Sequence, residues 1–537
     1  MQDWLTARAN ASPDALALMI GEERWTYGEL DGLVNGVYGR LQQTGVQPGD
    51  YVAVLLPNNL VYVCLIHALA RLGAVLVPLN TRLTPTELQW QLEHAGCQWL
   101  LFNEETAEKR LTINGQQLIV NETWLEPGKF TIRNSQTRPE PAEGFTIDRL
   151  QAIVFTSGTS GRPKGVMLTF ANHFYSALGS AYRLGALPDD LWLSCLPLYH
   201  VGGLAVIFRS CLYGTAVDLH PRFNLEEVNR SLDNKPITLI SLVPTMLRRL
   251  LQSRDYWPAS LRLILLGGAA APPKLIEEAN SLPRSDIHNS QTCPEPAEGF
   301  AIHNPSIPLV APTYGLTEAA SQVATMRPEA AAQKPGCVGK PLLFTQVKIV
   351  DEAGVERPSG EYGEIVVTGP TVMAGYFNHP AHQTTRLPNY KTTRLPDHQT
   401  TRLKDYQTTQ LYTGDVGCLD EDGDLWVVQR RTDLIVSGGE NIYPAEVEAV
   451  LREHTAVTAA CVVGIDDPEW GQKAAALIVP QTPGAVTAET LIAWCRERLA
   501  GYKIPRLIRF ANKLPKTASG KIARQTVKEQ LQQWNQP

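Results

Sequence analysis

Short apolar runs that end at Gly, Pro or Ser recur through this 537-residue chain, and they constrain its fold most strongly. Three of them are Tyr51–Leu56, Ala74–Leu79 and Ala152–Phe155, and a segment of helical pattern, Leu60–Leu72, lies between the first two. A strand that is apolar throughout is typical of a sheet covered on both faces, and strand–helix–strand order is typical of parallel pairing. We therefore predict a large α/β domain with parallel sheets and flanking helices.

The character of the sequence changes towards its C-terminus. Ala445–Leu451 has a helical pattern, whereas Ala459–Gly464 and Ala474–Val479 have strand patterns. About a hundred residues are enough for an independent domain. We therefore predict an N-terminal domain over residues 1–431 and a small α+β C-terminal domain over residues 432–537.

The composition excludes several classes of protein. Hydrophobic residues make up 44% of the chain, and 48 basic against 54 acidic residues give a net charge of −6, which argues against a nucleic-acid partner. The nine cysteines are scattered without a CxxC pair, so we expect neither a disulfide framework nor a thiolate zinc site, and a reducing compartment is favoured. We expect no membrane span, because no apolar run of about 18 residues occurs, and no signal peptide, because Met1–Leu5 is not a basic region followed by an apolar run. A cytoplasmic location follows as an expectation.

Two kinds of internal repeat interrupt the pattern. NSQTRPEPAEGF at Asn134–Phe145 recurs as NSQTCPEPAEGF at Asn289–Phe300, and TTRL recurs with a period of eight within Thr384–Gln410. The flanks of the first repeat do not match, so an inserted element is favoured over a domain duplication. The TTRL block is polar and contains proline, so it is poorly suited to a core. All three are interpreted as surface insertions, with a partner-binding or regulatory loop as the alternative.

A loop rich in Gly, Ser and Thr directly follows the apolar run at Ala152–Phe155. Its glycines let backbone N–H groups approach oxygens, its hydroxyls donate hydrogen bonds, and its lysine supplies positive charge, which together suit a phosphate. It lacks the GxxxxGK[ST] spacing of a P-loop, because proline precedes the lysine. The residues predicted to bind phosphate are Thr156, Ser157, Gly158, Thr159 and Lys164.

The string TSGTSGRPKG resembles the phosphate loop of the adenylate-forming superfamily, which contains acyl-CoA synthetases, luciferases and peptide-synthetase adenylation domains. The resemblance implies a β-rich lobe in the large domain, a small domain that moves, ATP and CoA as co-substrates, and Mg²⁺. Further motifs match in the same order along the chain, at Gly267–Ala269, Tyr314–Glu318, Tyr412–Asp415, Arg430–Ile435, Ser437–Pro444 and Leu514–Lys521.

The resemblance assigns roles for the first half-reaction, in which a carboxylate attacks the α-phosphorus of ATP. Glu318 would be the Mg²⁺ ligand and Thr317 would donate to the α-phosphate. Tyr314 would border the adenine, and Asp415 and Arg430 would hold the ribose.

The remaining assignments concern charge and movement. Lys521 would place a cation where negative charge builds during adenylation. Gly267 and Gly268 would contact the nucleotide, Thr432 would be the hinge of the small domain, and Gly438 with Gly439 would let the pantetheine arm pass.

Longer segments resemble the 2-succinylbenzoate–CoA ligases of menaquinone and phylloquinone biosynthesis, chiefly Cys211–Phe223 and Arg430–Glu448. Such a substrate has a second carboxylate, which must be neutralised if it is buried. The candidates for this role are Arg222 and Ser321. His200 is interpreted as a wall or gate of the acyl pocket and not as a general base, because an ionised carboxylate needs no proton removed.

Other functions stay open at this point. A serine hydrolase is disfavoured because no GxSxG motif occurs. A relative that binds nucleotide without catalysis is disfavoured because Glu318, Asp415 and Lys521 are all present. A ligase for another aryl or medium-chain acid is the nearest rival.

Overall fold

The protein is described from a computed structural model. The residues that it describes are 3–125, 146–156, 163–285, 309–378, 385–386, 389–391, 410–429, 434–516 and 522–535.

The largest described sheet has nine strands, which come from both ends of the N-terminal part. They are β1 (Leu16–Ile20), β2 (Glu23–Thr26), β9 (Leu191–Ser194), β10 (Ala216–Leu219), β11 (Leu239–Leu242), β12 (Leu263–Leu266), β13 (Val310–Leu316), β14 (Ser321–Thr325) and β15 (Lys340–Pro341). Their order is β15-β14-β13-β12-β11-β9-β10-β1-β2. The inner strands from β13 to β1 are parallel, and the strands at either edge are antiparallel.

The second sheet has seven described strands and carries the start of the predicted phosphate loop. They are β3 (Tyr51–Leu55), β4 (Val75–Pro78), β5 (Trp99–Phe102), β6 (Gln116–Ile119), β7 (Leu150–Thr156), β8 (Lys164–Thr169) and β18 (Gly375–Tyr376). Their order is β18-β8-β7-β4-β3-β5-β6, with parallel pairing from β7 to β6. β8 turns back antiparallel to β7, so the loop joins two neighbouring strands.

A third sheet is antiparallel and forms the β-rich lobe. Its described strands are β16 (Gln346–Val350), β17 (Gly363–Thr368), β19 (Thr385–Arg386), β20 (Asn389–Lys391), β21 (Gln410–Leu419) and β22 (Leu425–Gln429). β19 and β20 belong to the TTRL block and pair next to β21, so part of this block adds strands to the sheet. Residues 384, 387–388 and 392–409 of the block, and both copies of the twelve-residue repeat, lie outside the described residues.

The C-terminal unit has its own sheet and core. Its strands are β23 (Ile435–Ser437), β24 (Glu440–Ile442), β25 (Val457–Asp467), β26 (Gly471–Pro480) and β27 (Leu507–Phe510). Apolar residues on its two faces form two separate clusters, one with α12 (Pro444–Arg452) and α13 (Ala488–Arg496) and one with α14 (Arg524–Gln533). This is the small α+β unit that the sequence predicts; its boundary at residues 431 and 432 stays a prediction.

Two helices lie between the first two sheets. α3 (Leu60–Leu72) and α7 (Val201–Tyr213) are apolar on nearly every side, and both contribute to the largest apolar cluster. No helix within the described ranges is long and apolar enough to cross a membrane. The other helices are α1 (Trp4–Ala11), α2 (Tyr27–Thr44), α4 (Pro85–Ala95), α5 (Glu104–Ala107), α6 (Phe170–Leu184), α8 (Leu225–Asn234), α9 (Pro244–Leu251), α10 (Pro273–Ser281) and α11 (Pro328–Ala331).

Candidate active site

Glu318 lies beside the end of the predicted phosphate loop. Its carboxylate accepts a hydrogen bond of 2.8 Å from the hydroxyl of Tyr376. Tyr376 is in β18, which pairs with β8, and β8 begins at Lys164. The ammonium of Lys164 lies 5.1 Å from the centroid of the Tyr376 ring. The fold therefore brings the loop lysine and the predicted metal ligand to one place, although they are far apart in the sequence.

Tyr314 and Asp415 meet across two sheets. The Tyr314 hydroxyl donates a hydrogen bond of 2.6 Å to a carboxylate oxygen of Asp415, and Tyr314 is only 2% exposed. The turn that carries Asp415 is fixed at both sides, because Thr413 donates to the carbonyl of Ile365 and Gly414 donates its N–H to Glu364. The two predicted nucleoside contacts are thus neighbours with a defined orientation.

The turn that follows Glu318 is strained. Ala320 and Ser321 have φ angles of 50° and 97°, in the left-handed region that L residues seldom adopt. Gly315 is tightly enclosed, because a Cβ there would lie 1.8 Å from the carbonyl oxygen of Ser321. Such strain clusters at functional sites, where the surrounding structure enforces it. Thr317 and Glu318 are held in the short 3₁₀ helix Thr317–Ala319 inside this turn.

A cleft of about 960 Å³ opens between the large domain and the C-terminal unit. Tyr314 lines it from one side, and Gly439 and Trp470 line it from the other. Gly268 and Gly439 both lie close to the side chain of Val243. If either glycine carried a Cβ atom, this atom would lie 2.9 Å (Gly268) or 3.2 Å (Gly439) from a methyl carbon of Val243. Both glycines also have positive φ angles, so a side chain at either position would be strained as well as crowded. The two predicted glycine motifs therefore meet at this cleft.

Gly267 and Gly438 are enclosed as well. A Cβ on Gly267 would lie 2.7 Å from a methyl group of Thr313, and one on Gly438 would lie 2.7 Å from the ring of Trp470.

His200 contacts the C-terminal unit. Its Nε2 lies 3.1 Å from one carboxylate oxygen of Glu440, and the other oxygen accepts a hydrogen bond of 3.0 Å from Arg82. Burial alone would raise the pKa of Glu440, but the neighbouring His200 and Arg82 lower it to about 2. The sequence prediction included Glu440 only as part of a motif and missed this role.

Arg209 is a buried cation towards the C-terminal end of α7, the helix that His200 precedes. It is 2% exposed, donates to the hydroxyl of Ser176, and has an Nε without a hydrogen-bond partner. The Ser176 hydroxyl in turn donates to the carbonyl of Ala320, next to the strained turn. Both ring nitrogens of nearby His173 also lack partners, and burial, with the adjacent Arg209, lowers the His173 pKa to about 3. Sequence reasoning missed Arg209, although a lone arginine in the apolar helix VGGLAVIFRSCLY was a usable signal.

Arg222 is not buried in the way that Arg209 is. It is exposed in the turn between β10 and α8, so the structure gives no support to the prediction that it meets a buried carboxylate. Ser321 lies in the strained turn, directly after Ala320, whose carbonyl accepts the hydrogen bond from Ser176. Six predicted site residues lie outside the described residues, namely Ser157, Gly158, Thr159, Arg430, Thr432 and Lys521.

Only one group of acidic side chains within the described residues is close enough to share a metal ion. It consists of Asp420, Asp422 and Asp424. The ammonium of Lys334 lies 2.5–2.8 Å from a carboxylate oxygen of each of them, so a protein cation already occupies this position. The Mg²⁺ expected for a triphosphate therefore fits better at Glu318, whose hard oxygen faces the end of the phosphate loop.

The chain is similar to known proteins over its whole length. Residues 5–377 match the AMP-binding enzyme family, and residues 446–521 match the AMP-binding enzyme C-terminal domain. The 2-succinylbenzoate–CoA ligase of Bacillus licheniformis is 39% identical over 97% of this chain and 98% of that protein.

Solved structures of o-succinylbenzoate CoA synthetase from Bacillus subtilis are also similar, at 36% identity and with 98% of this chain covered. A double mutant bound to a product analogue, OSB-NCoA, has a TM-score of 0.83 and is itself 98% covered. The complex with the acyl-adenylate intermediate OSB-AMP has a TM-score of 0.67 with 98% coverage, and the complex with ATP and magnesium has 0.66 with 99%. By these matches, the chain belongs to the AMP-binding enzyme family, within the full-length group whose curated members are 2-succinylbenzoate–CoA ligases.

Proposed function

We propose that this protein is a 2-succinylbenzoate–CoA ligase of quinone biosynthesis that uses ATP, Mg²⁺ and CoA. The full-length similarity supports the ligase class. The observation that carries the choice of substrate is the buried guanidinium of Arg209.

In the first half-reaction, a carboxylate oxygen attacks the α-phosphorus of ATP and pyrophosphate leaves with the electron pair of the broken P–O bond. Lys164 and the loop before it hold phosphate oxygens, while Tyr314 orients Asp415 towards the ribose. Glu318 would hold Mg²⁺, which neutralises charge on the phosphates when bound. Lys521 would stabilise the charge that develops on the α-phosphate.

In the second half-reaction, the thiol sulfur of CoA attacks the acyl carbon. The thiol loses its proton, and AMP leaves with the electron pair of the acyl–oxygen bond. Gly439 lines the cleft on the side of the C-terminal unit, and Gly438 precedes it; we propose that the pantetheine arm passes these two residues, which have no side chains.

The substrate proposal follows from the cost of burying charge. A buried cation is costly unless an anion or several hydrogen-bond acceptors compensate it. Among the described residues no carboxylate pairs with Arg209, whose one side-chain acceptor there is Ser176. His200 precedes α7 and Arg209 lies nine residues along it, a distance of about 14 Å along the helix axis. The proposal is that the second carboxylate of an aryl acid compensates the buried guanidinium of Arg209.

The test is an acid screen that measures thioester formation in the presence of ATP, Mg²⁺ and CoA. We expect 2-succinylbenzoate to have a higher kcat/KM than benzoate, succinate and medium-chain fatty acids. A preference for a monocarboxylate would contradict the substrate and leave the ligase class intact. Pyrophosphate release that no carboxylic acid stimulates would contradict the ligase class itself.

Lys521→Ala separates the two half-reactions. It should slow the exchange of pyrophosphate into ATP and largely spare thioester formation from pre-formed acyl-adenylate, because only the first step needs this cation. Equal losses in both steps would contradict the proposed role.

We also propose a cytoplasmic location. It is supported by eight cysteines, all free and buried, among the described residues. Fractionation of cells that express the native protein tests it, and enrichment in a membrane or secreted fraction would contradict it.

A further inference from the structure

Lys503 is a fully enclosed cation at the boundary between the large domain and the C-terminal unit. It is 3% exposed and ends the short 3₁₀ helix Gly501–Lys503. Its ammonium donates to Glu87 at 2.6 Å and to Glu446 at 2.8 Å. Both carboxylates are nearly buried, with 8% and 7% of their side chains exposed. Neither the nucleotide chemistry nor the acyl pocket described above uses these three residues.

The two carboxylates come from different domains. Glu446 is on α12 of the C-terminal unit, the same unit as Lys503, whereas Glu87 is on α4 of the large domain. The C-terminal unit thus carries a Lys–Glu pair of its own, and contact with the large domain adds the second carboxylate. Glu87 is already oriented, because its other oxygen accepts hydrogen bonds from the backbone N–H and the hydroxyl of Thr84. The Glu87 side chain therefore loses little conformational entropy when the C-terminal unit brings Lys503 into contact with it.

Further contacts join the same two surfaces. Arg82 lies 4.8 Å from the centroid of the Tyr502 ring, next to Lys503, and also donates to Glu440. The Thr84 hydroxyl oxygen also lies 3.4 Å from the backbone carbonyl oxygen of Arg498. Among the described residues, Lys503 is the cation of this interface that bonds to a carboxylate from each side.

The similar Bacillus subtilis structures differ in how well they match the whole chain. The complex with the product analogue has a TM-score of 0.83, whereas the complex with the acyl-adenylate has a TM-score of 0.67, at equal identity and coverage. The arrangement of domains described here therefore agrees with the former structure.

We propose that Lys503 is a positioning residue for thioester formation, acting through Glu87 to hold the C-terminal unit in the orientation described here. The proposal rests on the two-step ligase function proposed above. In any orientation without this contact, Lys503 keeps Glu446 and regains water, and Glu87 is hydrated. The ion pair across the interface thus favours one orientation of the C-terminal unit over the others.

The first test is Lys503→Met, with each half-reaction measured separately. The substitution leaves Glu87 and Glu446 facing each other without a cation, so the domains should separate. Thioester formation from pre-formed acyl-adenylate should fall by at least about tenfold, while acid-dependent pyrophosphate exchange should stay within about twofold. Arg496→Met is the matched control, since it removes an exposed cation from the same domain.

A triple variant, Lys503→Met with Glu87→Gln and Glu446→Gln, removes the stranded charges. It should stay slow in thioester formation, because the ion pair that joins the two domains is absent, whereas the neutral amides can be buried without an unpaired charge. A role in folding alone would lower both half-reactions together. Equal losses in both steps, or a triple variant with wild-type thioester formation, would overturn the proposal.

Glu87→Lys provides the same test from the large domain if Lys503→Met does not fold. This substitution places a second ammonium group next to Lys503 and should also slow only thioester formation. The control is Glu93→Lys, on the exposed face of α4, which should change neither step. A Glu87→Lys variant with normal thioester formation would overturn the proposal. If the wild-type protein shows no acid-dependent pyrophosphate exchange, the proposed function fails, and this outcome is distinct from failure of the Lys503 role.

Discussion

The hydroxyl of Tyr314 donates a hydrogen bond of 2.6 Å to the carboxylate of Asp415, 101 residues further along the chain. Each residue belongs to a different motif, and the bond connects the parallel sheet to the β-rich lobe. A carboxylate with one oxygen fixed in this way presents its other oxygen in a defined direction. If Asp415 binds the ribose as proposed, the hydroxyls of the nucleotide would meet an acceptor that is already oriented.

Tyr314→Phe removes this bond and keeps the ring. Because hydrogen bonds to charged groups contribute roughly 1.5–3 kcal/mol, we expect kcat/KM for ATP to fall about 10- to 100-fold. Acid-dependent pyrophosphate exchange at varied ATP concentrations measures the effect. Tyr182→Phe, at a side chain that is 69% exposed, is the control. An unchanged kcat/KM would show that Asp415 is oriented without Tyr314.

Glu318→Gln tests the metal site. The amide can still accept the hydrogen bond from Tyr376, but it loses the negative charge that a hard divalent cation needs. Adenylation should slow by at least about tenfold and require more Mg²⁺, whereas Tyr376→Phe, which keeps the charge, should cost only about 1 kcal/mol. Pyrophosphate exchange titrated with Mg²⁺ compares the two. The same Mg²⁺ dependence in both variants would exclude Glu318 as the ligand.

The sequence was sufficient for the large-scale architecture. Ala152–Phe155 was predicted as a buried strand and forms the centre of β7, because a strand covered on both faces must be apolar throughout. Pro13–Leu18 has a helical pattern, yet Leu16–Ile20 is a strand. This segment is a strand because it pairs with β10, which lies about 200 residues away in the sequence. The local pattern of apolar residues contains no information about such a distant contact.

The sequence was less informative about charges whose role depends on burial. Arg222 and Arg209 lie close together in the sequence, and only the enclosure of α7 on all sides distinguishes the buried guanidinium from the exposed one. Glu440 was visible within its motif, but its contacts with His200 and Arg82 come from another domain. Burial and contacts between domains are tertiary properties, so no motif reports them.

Arg209→Met tests the contact with the second carboxylate. The side chains have similar length, and removing a buried charge should not destabilise the fold. With 2-succinylbenzoate, kcat/KM should fall about 10- to 100-fold, as expected for the loss of a charged hydrogen bond. With an analogue that lacks the second carboxylate, little change is expected.

Arg222→Met is the matched variant, because Arg222 is the exposed arginine that the sequence favoured. It should behave as wild type with both acids. If kcat/KM with the dicarboxylate fell in Arg222→Met and not in Arg209→Met, Arg222 would be the residue that binds the second carboxylate.

Glu440 should make the protein sensitive to acid. Its folded-state pKa is about 2, below its usual value of 4.5, so it contributes stability above pH 4.5 that is lost as the pH falls towards 2. The difference between these values corresponds to roughly 3 kcal/mol, because one pKa unit is about 1.4 kcal/mol. Glu440→Gln should therefore lower the midpoint of chemical denaturation at pH 5–7, and the deficit relative to wild type should shrink steadily towards pH 2. Glu453→Gln, an exposed carboxylate of the same domain, should show no such trend. A deficit that stays constant from pH 7 to pH 2 would mean that Glu440 stabilises the protein through packing and not through its charge with His200 and Arg82.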